Sequence, residues 1–228
     1  MVQVERHSTK AKLLLVEDIS FWAGYVARII HGCVDIDYLG CATTLVEARE
    51  MCVLKKPEIL LLDLWLPDGD GLTLARELRH LKSPIRIALF TVRNDNVVLH
   101  SYDRLSLDGL IWKDCIDESS FHASLKRLCG GSRYFAPELE NIKRKSRMSS
   151  NAWWKILSER ELALIPWFGK GLSDAEVAAQ MSANPATTRV HRQNIMRKLQ
   201  LHRSIDLVHW ACSEGFVAPP RGDERRIL

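Results

Sequence analysis

The stretch EILLLDLWL, residues 58–66, opens with a continuous apolar run, and this pattern decides the fold of the first half of the chain. Two similar runs precede it and two follow it, and an amphipathic, helix-like segment comes after each run. The four other apolar runs lie in AKLLLVED (11–18), DIDYLG (35–40), IRIALFTV (85–92) and GLIWKD (109–114). Alternating strands and helices with continuously apolar strands are typical of a parallel sheet covered by helices on both faces. We therefore predict an α/β domain with a parallel sheet at residues 11–131.

The second half of the chain has a different character. Residues 132–156 are basic, contain serine and show no sustained hydrophobic period, so we predict a linker there, partly ordered at Tyr134 and Phe135. Residues 157–217 contain four helical patterns, which predict an all-α domain. Two domains also agree with the length of 228 residues.

The second and third of these helical patterns are joined by a tight turn. Ser173 is placed to cap the helix that the second pattern predicts, and Glu176 three residues later completes a capping box. Asn184 is placed to cap the helix that the third pattern predicts. Pro185 occupies the first position of that helix, where a missing N–H costs nothing. Two helices joined in this way predict a helix-turn-helix.

Composition limits the class of protein. Residues 1–131 carry a net charge of −2 and residues 132–228 one of +6, which indicates a polyanionic partner for the second half. With 46% hydrophobic and 26% charged residues, the chain is not of the disordered class. Six cysteines without a CxxC pair, and no apolar signal or 18-residue apolar run, predict a reduced, cytoplasmic protein without a membrane partner.

Polar residues stand where the predicted strands end. The first strand ends at Glu17 and Asp18, the third at Asp63, the fourth at Thr91 and the fifth at Lys113. A parallel sheet brings these ends into one crevice. Three carboxylates repel one another unless a cation neutralises them, and oxygen ligands suit Mg²⁺. The metal would screen the charge of an aspartate that attacks a phosphoryl group. The Thr91 hydroxyl and the Lys113 ammonium would hold two phosphoryl oxygens.

These stretches resemble the receiver domain of two-component response regulators. LLLVED, LLLDLWLPDGDGLTLARELR, LFT and WKD occur in the family's order and cover residues 11–131. The resemblance implies that a sensor histidine kinase phosphorylates Asp63. It also implies that Asp18, Asp63 and the main-chain carbonyl of Trp65 hold Mg²⁺, with Glu17 acting through a metal-bound water. The chain departs from the family at Leu110, where an aromatic switch residue is usual.

A phosphatase is the rival interpretation of the same region. Residues 68–73, DGDGLT, resemble the DxDGT nucleophile motif of haloacid dehalogenase-type phosphatases. In those enzymes the first aspartate directly ends an apolar strand, whereas here Pro67 and a turn intervene and the run ends at Asp63. Nucleotide-binding motifs of the GxxxxGK[ST] and GxGxxG types are also missing from the sequence. We therefore predict that the chain is not an enzyme.

The third helical pattern of the second half carries the basic residues. At 100° per residue, Thr188, His191, Ile195 and Leu199 share an inward face, and Arg189, Val190, Gln193 and Arg197 lie broadly opposite. The exposed face supplies charge for phosphates, an Arg and a Gln for base edges, and a Val for a thymine methyl group.

The same region is similar to the LuxR-type helix-turn-helix of the NarL/FixJ group of response regulators. The resemblance covers residues 157–217 and depends on LSERELALI, GLSDAEVAAQM and TTRVHRQNIMRKL. It implies that Arg189, Val190 and Gln193 read bases, with Arg192 and Lys198 nearer the DNA backbone. Ala183 and Thr188 stand where the family usually has larger aliphatic residues.

Together these observations predict a flavodoxin-like (βα)5 receiver followed by a tetra-helical helix-turn-helix domain. The predicted function is that of a transcription regulator in which phosphorylation of Asp63 controls homodimerisation and sequence-specific binding to double-stranded DNA. RNA polymerase is a further candidate partner. The alternative, prompted by Leu110, is a DNA-binding regulator that ignores phosphorylation and is controlled by heterodimerisation with another protein.

Overall fold

The computed structural model describes residues 10–148 and 152–217. They divide into two compact units, one within residues 1–94 and 101–140 and the other within residues 95–100 and 141–228. The strands are β1 (Ala11–Val16), β2 (Ile36–Ala42), β3 (Ile59–Leu62), β4 (Trp65–Leu66), β5 (Gly69–Asp70), β6 (Arg86–Thr91), β7 (Gly109–Trp112) and β8 (Tyr134–Phe135). The helices up to residue 129 are α1 (Ser20–His31), α2 (Leu45–Lys55), α3 (Gly71–His80), α4 (Asn96–Arg104) and α5 (Glu118–Cys129).

Six of the strands form a parallel sheet in the order β2-β1-β3-β6-β7-β8. The predicted α/β fold is confirmed, and the sheet has one strand more than predicted. β3 lies between β1 and β6, and all four of its residues are fully buried. A strand that is covered on both faces needs apolar side chains at every position, which explains the continuous run in the sequence.

One face of this sheet is covered by α1 and α5. Val26, Ile29 and Ile30 of α1 share a stripe at helical spacing, and they pack into the same buried cluster as Phe121 and Leu125 of α5. Leu13, Leu15, Leu61 and Phe90 are the sheet residues at the centre of this cluster. This core holds the carboxyl ends of β1, β3 and β6 in fixed positions.

The region predicted as a linker contains short elements, and the order predicted at Tyr134 and Phe135 is present. Tyr134 and Phe135 form the sixth strand, where the Tyr134 N–H donates to the Asp108 carbonyl and the Ala136 N–H to the Leu110 carbonyl, both at 2.9 Å. A 3-10 turn (Pro137–Leu139) and the helices α6 (Glu140–Met148) and α7 (Trp153–Ile156) follow. A strand of two residues and a helix of four are too short to show a hydrophobic period, and α6 consists mostly of charged and polar residues.

The last part of the described chain contains the four predicted helices, α8 (Glu159–Gly169), α9 (Asp174–Gln180), α10 (Pro185–Lys198) and α11 (Ser204–Ser213). The capping box of Ser173 and Glu176 and the Asn184 cap are both present. Ile165, Val177, Ile195 and Leu207 are buried and supply one core residue from each helix. Throughout residues 10–148 and 152–217, every helix is too short or too polar to cross a bilayer.

Candidate functional site

The ends of β1 and β3 bring three carboxylates together. Val16 and Leu62 are paired in neighbouring parallel strands, so the residues that follow them lie side by side. Oxygens of Glu17, Asp18 and Asp63 all lie within 4.8 Å of one another. Glu17 and Asp63 are buried, and Asp18 is half-buried. The structure thus forms the acidic cluster that the strand ends predicted.

Lys113 reaches this cluster from the end of β7. Its Nζ lies 2.5 Å from Oε2 of Glu17 and 3.1 Å from Oδ2 of Asp63. The ammonium also lies over the rings of Phe90 and Trp22, at 4.9 and 5.6 Å from their centroids. Its side chain is only 1% exposed, so these carboxylates and aromatic faces replace water around the charge.

Burial raises the pKa values of two carboxyl groups in the acidic cluster. Loss of solvent, together with the neighbouring Asp63, raises the pKa of Glu17 to about 7 in spite of Lys113. Burial also raises the pKa of Asp63, although Lys113 and the Leu64 N–H, which donates to Oδ1 at 2.7 Å, oppose the rise. Three converging carboxylates with one ammonium between them have the donor set that a hard, oxygen-binding cation such as Mg²⁺ requires.

Thr91 lies at the same edge of the sheet, at the end of β6. β6 separates β3 from β7, so its last residue stands between the ends that carry Asp63 and Lys113. The Thr91 hydroxyl is buried, and its oxygen accepts the Arg93 N–H at 3.1 Å. The loop after Thr91 is also held by Trp112, whose indole N–H donates to the Val92 carbonyl at 3.0 Å. Leu110 on β7 is fully buried.

The segment after Asp63 forms a small hairpin that the sequence did not predict. β4 and β5 pair antiparallel, Trp65 with Asp70 and Leu66 with Gly69. A Cβ on Gly71 would lie 2.2 Å from the Asp63 carbonyl oxygen, so this position accepts only glycine without a shift of the backbone.

Both aspartates of the DGDG motif are used as helix caps. Asp68 accepts the N–H groups of Leu45 and Val46, at 2.8 and 3.0 Å, at the start of α2. Asp70 accepts the N–H of Leu72 at 2.8 Å, at the start of α3. A carboxylate that satisfies helix N–H groups in this way is positioned to stabilise structure and not to attack a substrate.

The exposed face predicted for α10 is present. Arg189, Val190, Gln193 and Arg197 are all exposed, and Val190 exposes 54% of its surface although it is apolar. Thr188 and Ile195 are buried on the opposite side, while His191 and Leu199 are half-buried. Exposed cations, an amide and an unpaired apolar side chain on one helix face are suited to the major groove of DNA.

Two other basic residues of α10 are held inside the helical unit, which the sequence did not predict. Arg192 Nη2 lies 2.8 Å from Oδ2 of Asp174 on α9, and Nη1 donates to the hydroxyl of Ser204 at 2.6 Å. Lys198 Nζ lies 2.7 Å from Oε2 of Glu161 on α8. Burial alone would raise the pKa of Glu161, but hydrogen bonds from Lys198 and Ser158 hold this pKa below its usual range.

A model of a known protein family matches each half of the chain. Residues 13–126 match the model of the response regulator receiver domain. Residues 155–211 match the model described as bacterial regulatory proteins, luxR family.

Curated relatives and solved structures of similar length are also found. The chain is 26% identical to the oxygen regulatory protein NreC of Staphylococcus carnosus over 88% of this chain and 96% of that protein. It is 24% identical to the response regulator UvrY of Escherichia coli strain K12 over 89% of this chain and 94% of that protein. RcsB from Salmonella enterica serovar Typhimurium, solved with promoter rprA and the phosphomimetic BeF3−, superposes with a TM-score of 0.65 at 20% identity. This match covers 90% of this chain and all of the RcsB chain.

Proposed function

Because this chain belongs to the response regulators, with a receiver domain and a luxR-family DNA-binding domain, we propose that phosphorylation of Asp63 controls its binding to DNA. The observation that carries the proposal is the convergence of Glu17, Asp18, Asp63 and Lys113 at one edge of the parallel sheet. The chain would act as a transcription regulator in the cytoplasm and not as an enzyme. A sensor histidine kinase would be its phosphodonor.

The chemistry at the site is the transfer of a phosphoryl group to a carboxylate. An Asp63 oxygen forms a bond to phosphorus while the bond from phosphorus to the donor nitrogen or oxygen breaks. Mg²⁺, held by Asp18, Asp63 and the Trp65 carbonyl with Glu17 behind a bound water, would supply Lewis acidity. Lys113 already contacts Asp63, so its ammonium would hold one oxygen of the incoming group, and the Thr91 hydroxyl would donate to another.

The DNA-binding surface in this proposal is the exposed face of α10. Arg189, Val190 and Gln193 would contact base edges, and Arg197 would contact a phosphate. Arg192 and Lys198 would instead orient the helix through Asp174 and Glu161, because their charges are already paired within the unit. Support for DNA and for a homodimer also comes from RcsB, which has been solved as two dimers bound to two parallel DNAs. RNA polymerase is proposed as a further partner on DNA.

The test is phosphorylation with acetyl phosphate and Mg²⁺. We expect one phosphoryl group per chain, stable to acid and labile to hydroxylamine, and none in Asp63→Asn. The mass in solution should change from monomer to dimer on phosphorylation, with tighter binding to the cognate DNA. Full incorporation of phosphate by Asp63→Asn would place the acceptor at another residue and overturn the proposal.

A second candidate function is supported by Leu110. This residue is an aliphatic side chain, fully buried, at the position where the family usually has an aromatic switch residue. Such a chain would bind DNA as a heterodimer with another regulator and would not respond to phosphorylation. If phosphate enters Asp63 but leaves both the mass in solution and the DNA affinity unchanged, the first function is excluded and the second is favoured.

A further inference from the structure

Two separate segments must come together for the proposed phosphorylation of Asp63. The main-chain carbonyl of Trp65 belongs to the β4–β5 hairpin, which is not part of the six-stranded sheet. The Thr91 hydroxyl lies at the last residue of β6, where the loop that carries Arg93 begins. The hydrogen bonds of the sheet fix the backbones of Asp63 and Thr91, but they extend neither to the hairpin nor to the loop after Thr91. Some other contact has to set the distance between the two segments.

Arg93 makes contact with both segments. Its guanidinium Nη1 lies 3.1 Å from Oδ2 of Asp70 on the hairpin, and its central carbon lies 5.9 Å from the centre of the Trp65 ring. Its own backbone N–H donates to the Thr91 hydroxyl oxygen at 3.1 Å. The Arg93 side chain is 3% exposed, so the guanidinium is surrounded by protein groups and not by water. Arginine suits this position because its planar group pairs with a carboxylate and stacks on an aromatic face at the same time.

Asp70 is a rigid point of attachment for this guanidinium. Its carboxylate also accepts the Leu72 N–H at the start of α3, and its backbone pairs with Trp65 across the hairpin. The hairpin is fixed a second time by Asp68, which accepts two N–H groups of α2. An ion pair to such a point restricts the loop after Thr91 more than an ion pair to a mobile side chain would.

We propose that Arg93 is a positioning residue for the phosphorylation site, which ties the loop after Thr91 to the Trp65 hairpin through Asp70. The inference deepens the proposed function and depends on it. Because the Thr91 oxygen accepts the Arg93 N–H, the hydroxyl keeps its own hydrogen to donate to a phosphoryl oxygen. Arg93 therefore aims the hydroxyl and fixes the hairpin before the phosphodonor arrives, which is a form of preorganisation.

The test uses Arg93→Met, Asp70→Asn and the double variant in the full chain. Methionine keeps an apolar side chain against Trp65, and asparagine keeps the cap of α3, so the loss that the two variants share is the ion pair. We expect each single variant to bind Mg²⁺ several-fold more weakly and to accept phosphate from acetyl phosphate about tenfold more slowly. The double variant should be no worse than either single variant, because all three lack the same contact. Arg93→Lys, which restores the charge, should recover part of the rate.

Arg79→Met is the matched control. Arg79 Nη2 pairs with Oδ2 of Asp108 at 2.6 Å in the same unit, next to the amino ends of β6 and β7 and away from the acidic cluster. We expect it to lower the melting temperature without a change in Mg²⁺ affinity or rate. If the variants of Asp70 and Arg93 behave like this control, or if their effects add independently, Arg93 has only a structural role and the inference is wrong. If the wild-type chain takes up no phosphate, the proposed function fails, and the Mg²⁺ titration still shows whether Arg93 acts on the site.

Discussion

Replacement of Lys198 by methionine tests how α10 is held in the helical unit. Lys198 Nζ lies 2.7 Å from Oε2 of Glu161, whose side chain is 5% exposed, while the Lys198 side chain is 32% exposed. Loss of one partner of a buried pair costs about 3–5 kcal/mol when the remaining charge is fully buried. Here solvent reaches the lysine side, and the Ser158 N–H still donates to Glu161 at 2.7 Å. We therefore expect Lys198→Met to lower the free energy of unfolding of this unit by about 2 kcal/mol.

The pH dependence of this loss has a definite sign. Glu161 has a pKa below its usual range in the folded chain, so its paired form stabilises the fold above the unfolded pKa of about 4.3. That stabilisation is lost as the pH falls through the lower, folded pKa. The difference between wild type and Lys198→Met should therefore be constant from pH 6 to 8 and should disappear in acid. Urea unfolding followed by far-UV circular dichroism at several pH values measures this difference in the free energy of unfolding.

DNA binding by the same variant decides between two roles for Lys198. If the lysine orients the helix, Lys198→Met should leave the slope of log affinity against log salt unchanged. Arg197→Met is the matched control, because Arg197 is adjacent but exposed. It should leave stability unchanged and lower the slope by about one, as expected for one phosphate contact. A lower slope for Lys198→Met with normal stability would refute the reasoning and restore Lys198 as a backbone contact.

Three further predictions concern base reading, metal binding and the backbone at the acceptor. Arg189→Ala should cost roughly 1–3 kcal/mol on cognate DNA and relax preference at one base pair per half-site, measured on cognate and scrambled duplexes; an equal loss on both would make Arg189 a phosphate contact. Asp18→Asn should weaken Mg²⁺ binding about tenfold in a titration at constant ionic strength, because one ligand charge is lost; unchanged affinity would place the metal elsewhere. Gly71→Ala should lower stability by about 3 kcal/mol in thermal unfolding and slow uptake of phosphate, since its Cβ would lie 2.2 Å from the Asp63 carbonyl oxygen; a neutral result would mean that the backbone there yields easily.

The sheet and the acidic cluster were predictable from the sequence because a simple geometric rule produces both. Strands buried on two faces must be apolar throughout, so the apolar run at Ile59–Leu62 predicts β3. The ends of parallel strands meet at one edge, so the polar residues that follow them converge. The helix-turn-helix was equally visible, since Ser173 and Asn184 cap their helices through contacts only two or three residues away.

The missed features are contacts between residues far apart in the sequence, or elements too short to show a period. Lys198 and Glu161 are 37 residues apart, and Arg93 and Asp70 are 23 apart, so no local pattern indicates either pair. β4, β5 and β8 have two residues each and form through their pairing with other segments. The exposed face of α10 was predicted correctly, but periodicity assigns a side chain to a face without showing which partner it finds there.

The charge balance at the acidic edge explains why one phosphoryl group would move the surrounding loops. Lys113 is shared by Glu17 and Asp63, so the only ammonium among these described residues is already engaged by two carboxylates. The phosphoryl group carries about −1.5 to −2 charges in place of the single charge of the Asp63 carboxylate, and its added oxygens need partners beyond Mg²⁺ and this one ammonium. The added oxygens would therefore draw in the Thr91 hydroxyl as well. The loop after Thr91 carries Arg93, whose guanidinium pairs with Asp70, and Val92, whose carbonyl accepts the Trp112 indole N–H. A shift of Thr91 toward the phosphate would have to rearrange both of these contacts. Phosphorylation would thus reach the surface of the receiver through this loop even though Leu110 occupies the usual place of the aromatic switch.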